Sequence, residues 1–259
     1  MIQSLYTGMH GMLAQQQNID VIANNVANMG TNGYKRSRVD FREALYDRMI
    51  SPTDNRPEVN LQRGTGVLAW GTARSFAQGA AQETGRALDF SIETDGFFAV
   101  EAADGTPLYT RDGAFYVSME ADGAYLVDAK GRYVLDSEGR HIALDETAEN
   151  LVVSTDGQLS FRRADGNTEA IGVRLGVFSF PNRTGLSVEE NGAYAETANS
   201  GPARLSDAPV VRQGSLEASN VDYAEESTRL IRAQRAYQAA SRCVTIADQM
   251  AQICNSIRT

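Results

Sequence analysis

Across residues 1–34 a single side chain, Asp20, carries full charge at neutral pH. The stretch reads MIQSLYTGMHGMLAQQQNIDVIANNVANMGTNGY, and Leu5, Met9, Met12, Ile19, Ile22 and Val26 recur at the three-and-four spacing of an amphipathic helix. The opposite face holds amides (Gln3, Gln15, Gln16, Gln17, Asn18, Asn24 and Asn25) where a solvated helix would carry Lys, Glu and Arg. Amides donate and accept hydrogen bonds without the cost of burying a charge, so this face suits contact with other polypeptide. Gly8 and Gly11 each forfeit about 1 kcal/mol of helix propensity against alanine, which close backbone approach would offset. The pattern predicts a helix made for assembly. It stops near Asn28, where Asn28-Met29-Gly30-Thr31-Asn32-Gly33 has the composition of a turn.

The C-terminal segment carries a matching pattern. Ser219 and Asp222 stand at capping-box spacing, and Asp222, Glu225 and Glu226 bring negative charge to the positive end of a helix dipole. Leu230, Ala233, Tyr237, Ala240, Val244, Ala247, Ala251 and Cys254 alternate by three and four, a coiled-coil seam rich in small residues. A second stripe follows Ile246, Met250, Ile253 and Ile257. Two apolar stripes imply two partners: the N-terminal helix and a neighbouring subunit. Closing the roughly 190-residue loop between the two helices costs about 5 kcal/mol, and burying alanine and glycine scarcely offsets that. The termini are therefore expected to be loose in a lone subunit and ordered on assembly. Cys243 and Cys254 would lie roughly 16 Å apart on such a helix, which excludes a disulfide between them; both are expected as small core residues.

From Ala87 the period changes to two. Leu88, Phe90 and Ile92 alternate with Asp89, Ser91 and Glu93, and Asp-Gly pairs recur at Asp95, Asp104, Asp112, Asp122, Asp156 and Asp165. Turn pairs at that interval predict a meander of short antiparallel strands, with candidates at 107–117, 124–128, 132–136, 151–154, 158–162 and 171–180. Turn chemistry accounts for these aspartates, none of which has EF-hand spacing. Residues 36–50 suit a short second helix or an extended arm, and 51–66 a loop or arm. Gly64-Thr65-Gly66 has neither the strand before it nor the helix after it that a nucleotide loop needs. The fold class expected is α+β, with terminal helices paired as an α-helical coiled coil around a central antiparallel β-rich domain. The divisions expected are 1–35, 36–90, 91–185, 186–218 and 219–259: N-terminal helix, connecting arm and linker, β-rich domain, return segment and C-terminal helix.

A formal charge of −9 argues against nucleic acid, which needs a basic footprint. No stretch approaches the about 18 consecutive apolar residues of a membrane span, and the N-terminus lacks the basic leader and apolar core of a cleaved signal peptide. Two histidines, His10 and His141, leave little material for a metal site or a histidine-based triad. No cofactor is expected, and no carboxylate pair stands at a spacing made for acid–base work.

Asn24-Asn25-Val26-Ala27-Asn28 followed by Thr31-Asn32-Gly33-Tyr34-Lys35 resembles the N-terminal motif of the flagellar basal-body rod and hook family. Asp95-Gly96-Phe97-Phe98, Tyr109-Thr110-Arg111-Asp112-Gly113-Ala114-Phe115 and the run Gln213–Asp222 resemble later family segments, so the likeness spans nearly the whole chain. Phe41 and Leu45 are similar to the Phe-x-x-x-hydrophobic signal that such subunits present to the export gate. The resemblance implies a structural subunit of the rod, a helical tube that carries torque from motor to hook. It further implies self-polymerisation, rod and hook neighbours, and export through the flagellar type III apparatus to a basal-body location. Gly64-Thr65-Gly66-Val67, the Asn32–Lys35 motif and the chain length look most like the distal-rod members, with proximal-rod subunits as the near alternative. Hook proteins carry an additional domain for which this chain has little room. A periplasmic cell-wall-acting enzyme with helical oligomerisation ends is the remote alternative.

Overall fold

The computed structural model describes residues 2–48, 62–120, 123–144, 150–162, 168–189 and 192–258. The chain forms two compact units: Met1–Ala27, Ser37–Arg74 and Asp222–Thr259 make one, Asn28–Arg36 and Ser75–Val221 the other. The class is α+β.

In the helical unit, α1 (Ile2–Ala27) and α2 (Tyr223–Arg258) run antiparallel, Gly8 lying by Val244 and Asn25 by Glu226. Helix α1 stops where the sequence places its end. Asp222 caps α2 directly, its Oδ1 accepting the backbone N–H of Ala224 at 2.8 Å and of Glu225 at 3.2 Å. The expected capping box is thus replaced by a single aspartate cap, and Ser219 Oγ instead accepts the N–H of Val221.

Of residues 36–50, those described, 36–48, take the extended alternative rather than the second helix. Ser37–Glu43 pairs antiparallel with Val67–Arg74, with a bulge between Asp40 and Phe41, and Asp47–Arg48 pairs with Gln62–Arg63. The helix-like spacing in this stretch yields to ladder bonding, because Val67–Arg74 supplies a β-prone partner. The expected loop at 51–66 lies mostly outside the described residues.

The β-rich unit is antiparallel in every described pairing. Its largest sheet orders Ser187–Val188, Tyr194–Ala195, Pro107–Thr110, Phe97–Glu101, Val177–Ser179 and Arg204–Leu205. Two three-stranded sheets accompany it: Ala143–Leu144, Gly123–Asp128 and Phe115–Glu120, and Leu151–Val153, Gln158–Arg162 and Thr168–Arg174. Phe97–Glu101 separates two cores. Phe98 and Val100 enter one with Phe90, Phe115, Leu126 and Leu159; Phe97 and Ala99 enter the other with Tyr109, Phe180 and Tyr194. Both faces of this strand are covered, so its sequence reads as a continuous apolar run. Phe97 meets Phe180 and Tyr194 edge-on, a geometry worth about 0.5–1.5 kcal/mol per pair beyond buried area.

Three expectations need correction here. The candidate strands 107–117 and 171–180 each break in two, at 111–114 and 175–176. At the second break Gly176 passes so close to the neighbouring chain that an added Cβ would lie 2.6–2.8 Å from the carbonyl oxygens of Asp136 and Leu135. Asp89 and Ser91, the polar members of the expected alternation, are buried as well, Ser91 Oγ meeting Ser215 Oγ at 2.7 Å. The cysteines are exposed thiols rather than core residues. Antiparallel pairing sets Gly8 against Val244, so α1 is used up before the final turns of α2, and Cys254 lies in those turns. The pairs at Asp122 and Asp165 lie wholly or partly outside the described residues.

Candidate assembly interface and a buried clasp

The two helices approach closely where their side chains vanish. An added Cβ on Gly8 would lie 2.7 Å from Val244 Cγ2 and 3.4 Å from Ala240 O, and one on Gly11 3.5 Å from Ala240 Cβ. Larger side chains there would push the helices apart, so the glycines repay their propensity cost in proximity. Further along, Ala14, Ile22, Ala233 and Ala247 are buried. Of the expected stripe on α1, Ile22 is buried, Leu5, Met12, Ile19 and Val26 are partly buried, and Met9 is exposed. On α2, Leu230 and Val244 are partly buried and Tyr237 sits at the exposed edge. The second stripe is bare: Ile246, Met250, Ile253 and Ile257 are each more than half exposed. Phe41 lies exposed on its strand, and Leu45, just beyond the strand, is 90% exposed.

The family-like asparagines divide by role. Asn25, buried, donates Nδ2–H bonds to Ser37 O at 2.7 Å and Glu226 Oε2 at 3.1 Å, while its Oδ1 accepts the Ser37 N–H at 2.9 Å. One amide thus pairs with a backbone as a strand would and holds a fully buried carboxylate. Asn24 is exposed. Asn28 closes the turn, its carbonyl accepting the Thr31 N–H at 3.1 Å and its Oδ1 the Thr31 hydroxyl at 3.3 Å.

In the β-rich unit, three distant motifs meet on one carboxylate. Glu217 Oε1 accepts from Lys35 Nζ at 2.6 Å and from the Gly79 N–H at 2.8 Å; Oε2 accepts from Arg111 Nη1 at 3.0 Å. All three charged side chains are at most 3% exposed. Lys35 also donates to Ala77 O at 2.9 Å, and Arg111 Nη2 to Thr94 O at 3.1 Å. Gly33 is at φ +66°, its N–H 2.8 Å from Glu217 O, with the Arg111–Asp112 peptide where a Cβ would stand. Asn32 is partly buried. Asn220 completes the knot. Its Oδ1 accepts the Arg36 N–H at 2.7 Å, its Nδ2 donates to Ser75 O and Ala77 O, and its own N–H reaches Tyr34 O at 3.4 Å. Sequence patterns display Lys35, Arg111, Glu217 and Asn220 inside three separate motif fragments but carry no signal that the fragments converge.

Burial pushes the Lys35 ammonium below the ordinary lysine value of 10.5, and Glu217 opposes that shift. The unfolded chain therefore holds this proton more tightly. Between the lowered folded value and 10.5, rising pH removes the penalty and adds stability. Urea unfolding of the wild type and Lys35→Met over a pH series should show the wild type gaining relative to the variant through this alkaline window. A pH-independent difference would contradict a titrating Lys35.

A helical unit with an uncovered apolar stripe, and a β-rich unit whose buried polar bonds hold segments from both ends of the sequence, define a self-assembling structural subunit. The comparisons agree. Family profiles match at residues 5–35 (flagella basal body rod protein), 91–161 (flagellar hook protein FlgE/F/G D1 domain) and 212–257 (flagellar basal body rod FlgEFG protein C-terminal). The chain is 35% identical to the flagellar basal-body rod protein FlgG of Bacillus subtilis (strain 168), covering 97% of each. It is 36% identical to the FlgG of Borreliella burgdorferi, over 100% of this chain and 99% of that one. It is also 34% identical to the flagellar hook-basal body complex protein FlhP of Bacillus subtilis over the full length of both. The chain belongs to the flagellar basal-body rod and hook family. It is a structural rod subunit of the basal body, not an enzyme. No helix among the described residues is long and apolar enough to cross a membrane.

Proposed function

We propose that this chain is the distal-rod subunit, polymerising with itself into a helical tube that transmits torque from motor to hook. In the polymer α1 and α2 form a coiled-coil layer. Repeated head-to-tail contacts that do not close into a ring extend into an open helix. Rod and hook subunits are its axial neighbours. The single observation that carries this reading is the bare stripe Ile246, Met250, Ile253 and Ile257 on a helix whose other face already holds α1. Contiguous exposed apolar surface of this kind marks a protein contact. The chain reaches its site through the flagellar type III apparatus, and the exposed Phe41 and Leu45 serve as the export-gate signal. The distal assignment rests on the Asn32–Lys35 and Gly64–Val67 motifs and on chain length.

In a strain lacking this protein, basal bodies should carry rods that stop short, and complementation should restore flagella. A stub truncated near the inner membrane would reassign the chain to the proximal rod; complete basal bodies would refute the rod role. A finer test is Ile253→Glu. The side chain is exposed in the lone subunit, so its melting should move by no more than about 0.5 kcal/mol, while polymer formation and swimming are lost. Normal swimming with Ile253→Glu would remove this stripe from the interface.

A further inference from the structure

Asn32-Gly33 is one of two Asn-Gly pairs in the chain, the other being Asn191-Gly192. In a flexible chain such a pair is prone to a simple reaction. The backbone nitrogen of Gly33, once deprotonated, attacks Cγ of Asn32; the new C–N bond closes a succinimide and the Cγ–Nδ2 bond breaks, releasing ammonia. Water then opens the ring to aspartate or to isoaspartate, whose backbone is longer by one methylene. No oxidant or reductant takes part.

We propose that Asn32 is a deamidation site that the folded clasp closes. Three observations carry this. The Gly33 N–H, whose nitrogen must be the nucleophile, is committed to Glu217 O at 2.8 Å. The Gly33 backbone is fixed at φ +66°. It is also wedged so closely on Arg111 and Asp112 that an added Cβ would lie 2.6–2.9 Å from their backbone atoms, which leaves no room to swing nitrogen toward the side chain. The acceptor strand is held in turn by Lys35 and Arg111 on Glu217. Opening the clasp frees the nucleophile, and formation of isoaspartate makes the loss one-way, because the extra methylene displaces Gly33 from Glu217. A subunit that lingers unfolded is thereby chemically marked at the motif that organises its β-rich unit.

The test is peptide mass spectrometry on the full chain incubated in mildly alkaline buffer, with and without denaturant. In denaturant, Asn32 and Asn191 should convert at comparable rates. In the native protein, conversion at Asn32 should be at least about tenfold slower than in denaturant, the factor expected from one buried hydrogen bond alone. Glu217→Gln, verified as folded by circular dichroism, should accelerate Asn32 conversion toward the denatured rate; if that variant does not fold, Lys35→Met serves instead. Native conversion as fast as in denaturant, or a folded clasp variant with the wild-type rate, would overturn the proposal.

Discussion

Replacing Glu217 with leucine should destabilise the β-rich unit by about 3–5 kcal/mol, the usual cost of removing one partner from a buried ion pair. Two cations depend on this carboxylate, each at most 3% exposed, so neither can turn to water for compensation. Leucine approximates the volume of glutamate, which separates lost charge from lost packing. The Gly79 N–H loses its acceptor too. Urea unfolding reports the size of the effect. Two further variants apportion it: Lys35→Met in the Glu217→Leu background should recover part of the loss by removing one uncompensated charge, and Arg111→Met should recover more if the guanidinium is the more costly orphan. A Glu217→Leu protein within about 1 kcal/mol of wild type would mean that the cluster is solvated in solution.

Gly113→Ala should be nearly as damaging, at about 2–4 kcal/mol, combining overpacking with a weakened backbone hydrogen bond. An alanine Cβ at this position would overlap Phe90 O and lie 3.1 Å from Phe98 Cε2. Backbone cannot yield as a flexible side chain does. Relief requires lengthening the 3.0 Å bond from the Phe90 N–H to Gly113 O, which lies beside the core built on Phe90, Phe98 and Phe115. Thermal unfolding should move down by roughly 10 °C. Gly30→Ala is the matched control: it has open space around it and no positive φ, and should melt like wild type.

Gly113 also shows what a sequence can and cannot say about this fold. Asp112-Gly113 reads as a turn pair, and the chain does turn there, but Gly113 is not at positive φ; it is small because Phe90 passes alongside. Gly105 and Gly157 fit the turn reading, each at φ +81°. Both terminal helices are legible because 3.6-residue periodicity is a local property of the chain. The strand at Ser37–Glu43 is less so, since its partner at Val67–Arg74 decides its conformation. Asp89, Ser91 and Glu217 defeat the alternation rule for one reason: their strands are covered on both faces, and polar partners rather than water satisfy the second face. The clasp was present as motif fragments at Gly33–Lys35, Arg111 and Glu217, and only folding brings them together. Cys254 misled because burial along α2 depends on how far α1 reaches, which periodicity does not encode; Cys243 is exposed beside Val244, within the reach of α1.

The helical unit is assembled from the first and last parts of the chain, and that fixes an order in time. A ribosome releases α1 first and α2 last. At usual elongation rates the 194 residues between Ala27 and Asp222 take roughly 10–40 s to make, whereas helix–coil exchange takes about a microsecond. For that whole interval α1 lacks α2, and Gly8 and Gly11 keep it a poor helix by itself. Each nascent subunit therefore carries the face of α1 around Gly8 and Gly11 uncovered until α2 emerges. That long wait is when a chaperone or a neighbouring nascent chain has its opportunity to bind.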